Sequence, residues 1–286
     1  MKKYVVLYNP YSGKGNGLEN AKKLEKILKD AEITYEDMIR ITDQPKYIRE
    51  LPEDTTLIFT GGDGTLNRVI NAIYGMPLER DILYFPAGSG NDFINDLELA
   101  HDCAPFPINP YMQELPCVEV NGKCYRFINA VSIGLDGYTC EMQEILKSKG
   151  KKKSYKLIAF EGLMGKYRTC GGSVTVDGVT ERFEKIWLAA AMFGRFYGGG
   201  VMMGPTQSRF NEEGLLTAVT IHDVGRLRTL FLFPSITKGK GEQYPEIVEY
   251  RKGREITVNF DRPTAVQIDG DVISDVTTIT VRSGRQ

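Results

Sequence analysis

Across residues 3–92, short apolar runs recur, and three of them lead straight into a glycine-rich turn. "KYVVLY" (3–8) leads into "NPYSGKGNG" (9–17), "TTLIFT" (55–60) into "GGDG" (61–64), and "DILYF" (81–85) into "PAGSGND" (86–92). "ITYEDMIR" (33–40) reads as a further strand. Leu18, Ala21, Leu24, Ile27 and Leu28 repeat at helical spacing and predict a helix over 18–30. A short helix near 45–51 and another over 65–75 follow the same rule. Strands that alternate with helices need crossovers, and such units build a parallel sheet with helices on both faces.

Beyond the prolines at 105, 107, 110 and 116 the pattern changes. "CVEVNGKCYRFINAVSI" (117–133) holds an Asn-Gly pair between two strand-like runs, and "SVTVDGVTERFEKIWLAAAMF" (173–193) holds Asp177-Gly178 in the same setting. Such pairs supply the left-handed conformations that a two-residue hairpin turn needs. Further strands are expected over 215–221, 254–260, 264–269 and 276–282, with helices near 137–147, 154–166 and 225–233. The reading is an α/β first domain over 1–115 and a mainly antiparallel β domain over 116–286.

Composition narrows the chemistry. The formal net charge is −1, so nothing global draws the chain to nucleic acid or anionic lipid. One local exception is "LKSKGKKKSYK" (146–156), which reads either as a solvated loop or as a surface that meets acidic lipid. Five cysteines (103, 117, 124, 140 and 170) with no CxxC pair argue against a disulfide framework or a zinc site and suit a reducing cytosol. Only His101 and His222 are available for histidine ligation. No run approaches the ~20 apolar residues of a membrane span, so any membrane contact is expected to be peripheral. "LIAFEGLMG" (157–165) and "LRTLFLF" (227–233) are rich in large apolar residues and read as core or as a wall for acyl chains.

In a parallel sheet, ligands bind beyond the carboxyl ends of the strands, where all three glycine turns fall. Glycine lets a backbone approach a phosphate or take a positive φ, and the following helix offers free N–H groups. None of the turns has Walker A spacing. Asp63, Asp92, Asp269 and Asp271 supply carboxylates at turns or strand ends, which suits Mg²⁺ in phosphoryl transfer. Asp92 reads equally as a helix N-cap. "DGD" at 269–271 reads, without the other motifs, as a β-turn with solvated carboxylates.

"GGDGTLN" (61–67) resembles a signature shared by diacylglycerol, sphingosine and NAD kinases. "LYNPYSGKG" (7–15), "FPAGSGNDF" (85–93), "NAVSIGLDG" (129–137), "GGGVMMGPTQSRFNEEGLLTAVTI" (198–221) and "AVQIDGD" (265–271) resemble, in order, the motifs of the diacylglycerol kinase catalytic family. The resemblance spans nearly the whole chain and points to bacterial lipid kinases. It implies ATP on the first domain, lipid in the cleft between the domains, and phosphate transfer to the hydroxyl of diacylglycerol or a related lipid alcohol. It assigns Asn9, Pro10, Tyr11, Ser12, Gly13, Thr42, Gly61, Gly62, Asp63, Gly64, Thr65, Leu66, Asn67 and Ser89 to the nucleotide, with Asp92 supporting Mg²⁺ beside Asp63. It makes Asp271 the base toward the lipid hydroxyl and Asp63 a catalytic carboxylate that faces the phosphates through Mg²⁺; the Asp at 271, where Glu is usual, leaves Asp269 open as a sharer of the base's role. A structural Mg²⁺ would use Glu213 with backbone carbonyls near Phe210 and Leu215.

Two positions depart from the family pattern. Residue 271 is Asp where Glu is usual, and residue 213 is Glu where Asp is usual. An NAD kinase, from the shared 61–67 signature, and a nucleotide-binding regulatory relative that has lost turnover through the changes at 213 and 271 are the competing readings. The expected setting is cytoplasmic, with lipid met at the membrane surface, no nucleic acid partner, and a homodimer left open. The last residues are expected to pack back on the first domain.

Overall fold

The strand–turn–helix alternation of the first part forms a five-stranded sheet in a computed structural model that describes residues 1–77, 80–88, 90–151 and 153–285. The chain divides into two compact units, Met1–Glu114 and Leu115–Gln286. The first unit holds β1 (Lys2–Tyr8), β2 (Ala31–Asp37), β3 (Thr55–Gly61), β4 (Ile82–Pro86) and β5 (Phe106–Pro107), in the order β2-β1-β3-β4-β5. The first four run parallel, and β5 closes the edge antiparallel to β4. Val6, Leu7, Leu57, Ile58 and Phe59 are buried, as expected of parallel strands covered on both faces. The chain steps from β1 to one side and later to the other, so the order reverses between β1 and β3. That reversal is where an open α/β sheet leaves a crevice beyond its carboxyl ends.

Three elements of this unit differ from the sequence expectation. The helix over 18–30 is instead two short ones, Gly17–Ala21 and Leu24–Ile27, and a further short helix, Ser12–Gly15, lies in the glycine turn before them. Their joints are tightened by i→i+3 bonds such as Lys23 N to Asn20 O (3.2 Å) and Glu25 N to Lys22 O (3.1 Å). Strand β2 ends at Asp37, because its carboxylate accepts the Ile39 N–H at 3.0 Å and caps a 3₁₀ turn over Met38–Arg40. The helix expected over 65–75 begins at Asp63 and runs to Ile73. Extended Gly62 precedes it, and its carbonyl accepts the N–H groups of Thr65 and Leu66, both at 3.0 Å.

The second unit is built on a nine-stranded, antiparallel sheet. Its strands are β6 (Cys117–Val120), β7 (Lys123–Arg126), β8 (Ala130–Gly134), β9 (Cys170–Val176), β10 (Val179–Met192), β13 (Leu216–His222), β14 (Val248–Gly253), β15 (Glu255–Ile268) and β16 (Asp271–Arg282). A separate two-stranded ribbon pairs β11 (Phe196–Tyr197) with β12 (Val201–Met202). Three Asx-Gly pairs make hairpin turns with positive φ at both residues: Asn121-Gly122, Asp177-Gly178 and Asp269-Gly270. The two strands expected at 254–260 and 264–269 are one, β15, with its register shifting between Asn259 and Thr264. Pro263 lies in that interval and has no N–H to give the ladder, which favours a bulge there.

Alternation along β10 feeds two cores. Ala189 and Ala191 face one with Val131, Ile133 and Val266. Leu188, Ala190 and Met192 face the other with Trp187, Val219 and Ile236. Helices Leu135–Ser148, Tyr155–Glu161 and Arg226–Ile236 complete this unit, and a π-helical turn over Gly162–Lys166 follows the second. Among the described residues, no helix is long and apolar enough to cross a membrane.

Candidate functional site

The carboxyl edge of the first sheet brings its three glycine turns into contact. Asn9 follows β1, and its side-chain amide donates to Thr65 Oγ1 at 2.9 Å. Ser12 Oγ lies 3.3 Å from the same hydroxyl, and the Asn9 Oδ1 accepts the Tyr11 N–H at 3.0 Å. The turn after β1 is thereby tied to the first turn of the helix after β3. Pro10 sits within the first turn, and Gly13 takes φ +56°, a conformation that favours glycine.

The other two turns meet backbone to backbone. A Cβ on Gly88 would come within 2.4 Å of Gly62 Cα, and one on Gly61 within 2.5 Å of the Thr65 side chain. None of Gly61, Gly62 and Gly88 has a positive φ. The structure thus corrects one part of the sequence reading: these glycines are small so that the turns can interlock, not to allow a left-handed backbone.

Asp63 is the centre of the lock. Its Oδ2 accepts the Asp92 N–H at 3.1 Å and its Oδ1 the Phe93 N–H at 2.9 Å. These are the first two amides of the helix Asp92–Asp96, and such groups have no partner within their own helix. Asp92 is therefore not the N-cap. Asn91 occupies that position in a left-handed conformation with no side-chain cap bond, and the cap comes from Asp63 in another turn. Asp92 itself is buried at the first helical position.

The remaining members of the expected nucleotide set divide clearly. Gly64 is the second residue of the helix that Asp63 begins. Leu66 points into the core, and Asn67 is buried, with its Oδ1 accepting Asn71 Nδ2 at 3.1 Å. Tyr11 and Thr42 are exposed, the latter on the loop after the Met38–Arg40 turn. Ser89 lies outside the described residues. Two polar atoms that sequence reasoning missed stand out: Thr60 Oγ1 at the end of β3 and Asn91 Oδ1 are buried and have no hydrogen-bond partner. Asn91 could have been noticed as the non-glycine between Gly90 and Asp92.

The two carboxylates of "DGD" in the second unit have different surroundings. Asp269 is buried, and its carboxylate accepts three backbone N–H groups: Ile128 at 2.6 Å, Asn129 at 2.9 Å and Ala130 at 3.0 Å. The solvated-turn reading fails for it. Asp271 opens β16 opposite Ile268 and is half-buried. A side-chain chain supports the turn between them. Gly270 N donates to Gln267 Oε1 (3.0 Å), Gln267 Nε2 to Ser132 Oγ (3.2 Å), and Ser132 Oγ to Asp136 Oδ2 (3.2 Å). Asp136 also accepts from the Tyr197 and Tyr155 hydroxyls. Burial pushes its carboxyl pKa up, against hydrogen bonds from Tyr197, Tyr155 and Ser132 that pull it down.

The loop expected to hold a structural Mg²⁺ contains Phe210, Glu213 and Leu215. The Leu215 carbonyl already accepts Gln207 Nε2 at 3.0 Å and Asn211 Nδ2 at 2.9 Å. The Glu213 carbonyl accepts Arg254 Nε at 3.1 Å, and its side chain is exposed. Arg285 Nη1 donates to the carbonyls of Asn211 (2.9 Å) and Glu212 (3.1 Å). Phe210 is exposed, and its N–H goes to Ser208 Oγ at 3.2 Å. Mg²⁺ wants a near-octahedral shell of oxygens at about 2.0–2.1 Å. A carbonyl with both lone pairs committed and two guanidinium charges on one loop do not fit that ion. Among the described residues, no group of three or more His, Cys, Asp or Glu could hold a metal.

Known proteins give this geometry a family. Residues 3–109 match the model of the diacylglycerol kinase catalytic domain, and residues 129–283 match that of the YegS C-terminal NAD kinase beta sandwich-like domain. The chain belongs to this lipid kinase family. It is 25% identical to a diacylglycerol kinase of Bacillus subtilis (strain 168) over 95% of this chain and 90% of that one. It is 25% identical to a diacylglycerol kinase of Mycobacterium tuberculosis (strain ATCC 25618 / H37Rv) over 75% of this chain and 70% of that one. A crystal structure of a diacylglycerol kinase from Bacillus anthracis str. Sterne superposes with a TM-score of 0.56 at 18% identity. That superposition covers 99% of this chain and 95% of the other, and it speaks to the fold. Membership of a kinase family implies ATP as the phosphate donor.

The first unit has polar groups that suit a nucleotide and its cation. Asn91 Oδ1 is a hard amide oxygen, buried and without a partner, of the kind Mg²⁺ accepts as a ligand. Thr60 Oγ1 offers a second such oxygen.

Proposed function

We propose that the protein is an ATP-dependent lipid kinase that transfers the γ-phosphate to the hydroxyl of diacylglycerol or a related lipid alcohol. The observation that carries this reading is the junction of three strand-end turns through Asn9, Thr65 and the two N–H bonds of Asp63. In an open parallel sheet a nucleotide is expected beyond the carboxyl ends of the strands at the reversal point, which is where this junction lies. Asn9, Ser12 and Thr65 hold the first and second turns in register, and the paired glycines let backbone amides approach phosphate oxygens. Mg²⁺, when bound, would offset the charge that builds on the transferring phosphoryl group. The buried, unpartnered oxygens of Thr60 and Asn91 would be candidates to hold it, and Asp63 fixes the helix Asp92–Asp96 that follows Asn91.

At the acceptor, Asp271 takes the proton of the lipid hydroxyl as its oxygen attacks the γ-phosphorus and ADP leaves. Asp269 does not share that role. Its carboxylate is committed to three backbone amides, and it serves to aim the turn that carries Asp271. The test is transfer of labelled phosphate from ATP to a panel of diacylglycerol, phosphatidylglycerol, ceramide, sphingoid base and NAD. Transfer to a lipid is expected. Asp271→Asn should lower it by about 10³-fold or more while leaving ATP affinity near that of the parent. Transfer to NAD alone, or full activity in Asp271→Asn, overturns the assignment.

A further inference from the structure

Asp136 is a buried acid that no step of the phosphate transfer uses. It is 2% exposed, and its hydrogen-bond partners among the described residues are hydroxyls rather than cations. Tyr155 donates to its Oδ1 at 2.8 Å, and Ser132 (3.2 Å) and Tyr197 donate to its Oδ2. It lies in the first turn of the helix Leu135–Ser148, where free N–H groups and the positive end of the helix favour a carboxylate. Burying such a group away from a cation is costly, so its place in the fold calls for a reason.

Packing fixes that place relative to β15. A Cβ on Gly137 would fall 1.8 Å from the Ala265 carbonyl oxygen, so the start of the helix is pressed against the strand just before Gln267. Gln267 and Ser132 are directly opposite across β15 and β8, and both are buried. Cross-strand partners of this kind meet on one face of a sheet.

The bonds through them have one sense only. An ionised carboxylate accepts and cannot donate, so Ser132 gives its hydroxyl proton to Asp136. The Ser132 oxygen is left to accept, and it takes Gln267 Nε2 at 3.2 Å. That turns Gln267 Oε1 the other way, where it accepts the Gly270 N–H at 3.0 Å. An obligate acceptor at one end and an obligate donor at the other orient every group between them. Gly270, at φ +95°, directly precedes Asp271. The other side of the same turn is held by the Asp269 carboxylate on the amides of Ile128, Asn129 and Ala130.

We infer that Asp136 is a positioning residue for phosphate transfer: through Ser132 and Gln267 it fixes the Gly270 amide, and with it the direction in which Asp271 meets the lipid hydroxyl. Misplacing a reacting group by ~1 Å can cost on the order of 10²-fold in rate, so a bond to the residue before the base is enough to matter. The inference rests on the reading of Asp271 as the base, and one arm of the experiment therefore involves no reaction.

Asp136→Asn keeps the shape and removes the obligate acceptor. It should lower kcat for transfer to diacylglycerol about 10-fold or more, with the KM values for ATP and lipid within about 2-fold of the parent's. Adding Gln267→Glu puts a carboxylate on the far side of Ser132. That carboxylate accepts from both Gly270 N–H and Ser132 O–H, while the amide at 136 donates to the Ser132 oxygen. The double variant should recover kcat to within about 3-fold of the parent. Gln267→Glu alone sets two carboxylates against one hydroxyl proton and should be at least as slow as Asp136→Asn. Ser132→Ala cuts the chain without adding charge, should lose kcat to the same degree, and serves if a charged variant does not fold. Without nucleotide or lipid, hydrogen exchange at the Gly270 amide should quicken about 10-fold in Asp136→Asn and return in the double variant.

A merely structural Asp136 would lower the melting temperature without this rescue. Unchanged exchange at Gly270, a raised KM for lipid with kcat retained, or a double variant no better than the single ones overturns the inference. Exchange that follows the chain in a parent that phosphorylates no lipid would sink the kinase reading and leave the chain standing. Exchange that follows it in an active parent whose kcat ignores the variants would sink the positioning role alone.

Discussion

The glycine turns of the first unit and the loop 207–215 of the second both carry motifs that lead one to expect a bound cation, and their polar groups are arranged in opposite ways. In the first unit, side chains lock the turns together and still leave Asn91 Oδ1 and Thr60 Oγ1 buried without partners. In the second, the amides of Gln207 and Asn211 and two guanidinium groups take up the carbonyls of Asn211, Glu212, Glu213 and Leu215. A buried polar atom that lacks a partner is costly, so a fold retains one only where something else meets the need. A satisfied carbonyl has no such need. What separates the two regions is therefore which oxygens remain uncommitted, a property that the motif letters do not contain.

The largest test of this contrast is Asp269→Ala. It strips the acceptor from three buried N–H groups at once and should cost about 3–5 kcal/mol of stability, read by urea unfolding. Asp271→Asn, two residues away, should change stability by less than about 0.5 kcal/mol. If the two variants unfold alike, the division of labour within the turn is wrong. Asp63→Ala comes next. It leaves the Asp92 and Phe93 amides unmet and should cost about 2–4 kcal/mol in the same experiment. Its nucleotide affinity, measured by calorimetry on the folded fraction, should fall as well, because the third turn loses its anchor. Stability held at the parent level would show that Asp63 faces only the ligand.

Much of this fold is legible locally. Strand–glycine turn–helix units announce the parallel sheet, and Asn121-Gly122 and Asp177-Gly178 announce their hairpins with the left-handed backbone they adopt. Asp269-Gly270 follows the same rule, but the solvated-turn reading that the motif gives on its own fails for Asp269, because the N–H donors to its carboxylate lie 139 to 141 residues away. The same distance problem hid the Asp63 cap, whose donors lie 29 and 30 residues on. It also hid the reason for Gly62, which is the approach of Gly88. Periodicity over 18–30 was right for Ala21 and Leu24, which are buried, and wrong for Leu18 and Ile27, which are exposed, because it could not register the i→i+3 tightening that breaks the helix. Long-range partners were the blind spot for Asp63, Asp269 and Gly62, and local hydrogen-bond geometry was the blind spot for 18–30.

Removing the guanidinium from the second loop tests the closed side of the contrast. Arg285→Ala should cost about 1–2 kcal/mol, given a charged donor to two carbonyls that are only partly buried. Neither millimolar magnesium nor a chelator should shift the melting temperature of the parent through this loop, and magnesium should not restore the variant. Luminescence of a lanthanide used as a probe should show no site that depends on Glu213. A magnesium-dependent rise in melting temperature that Glu213→Gln abolishes would mean that the loop opens for a cation after all.

The smallest effect is expected at a carboxylate in the second unit that has itself been left short. Glu249 Oε2 is buried without a partner, while Oε1 lies 3.3 Å from Arg251 Nε. Arg251 is shared: its Nη1 lies 3.7 Å from Glu181 and it also donates to the carbonyls of Val174 and Val179. Burial, and next the neighbouring Glu181 carboxyl, raise the Glu249 pKa from 4.5 to about 7. An acid with a raised folded pKa binds more protons folded than unfolded between those two values. Stability from this group is therefore present below about pH 4.5 and is lost as pH rises toward 7. Glu249→Gln keeps a neutral hydrogen-bonding group at every pH, so it should unfold later than the parent above pH 7 and lose that advantage toward pH 5. Discounted for partial solvent screening, the gap should be at most about 1 kcal/mol. Parallel pH profiles for the two proteins would show that Arg251 satisfies both carboxylates, and that the second unit is closed at this point as well.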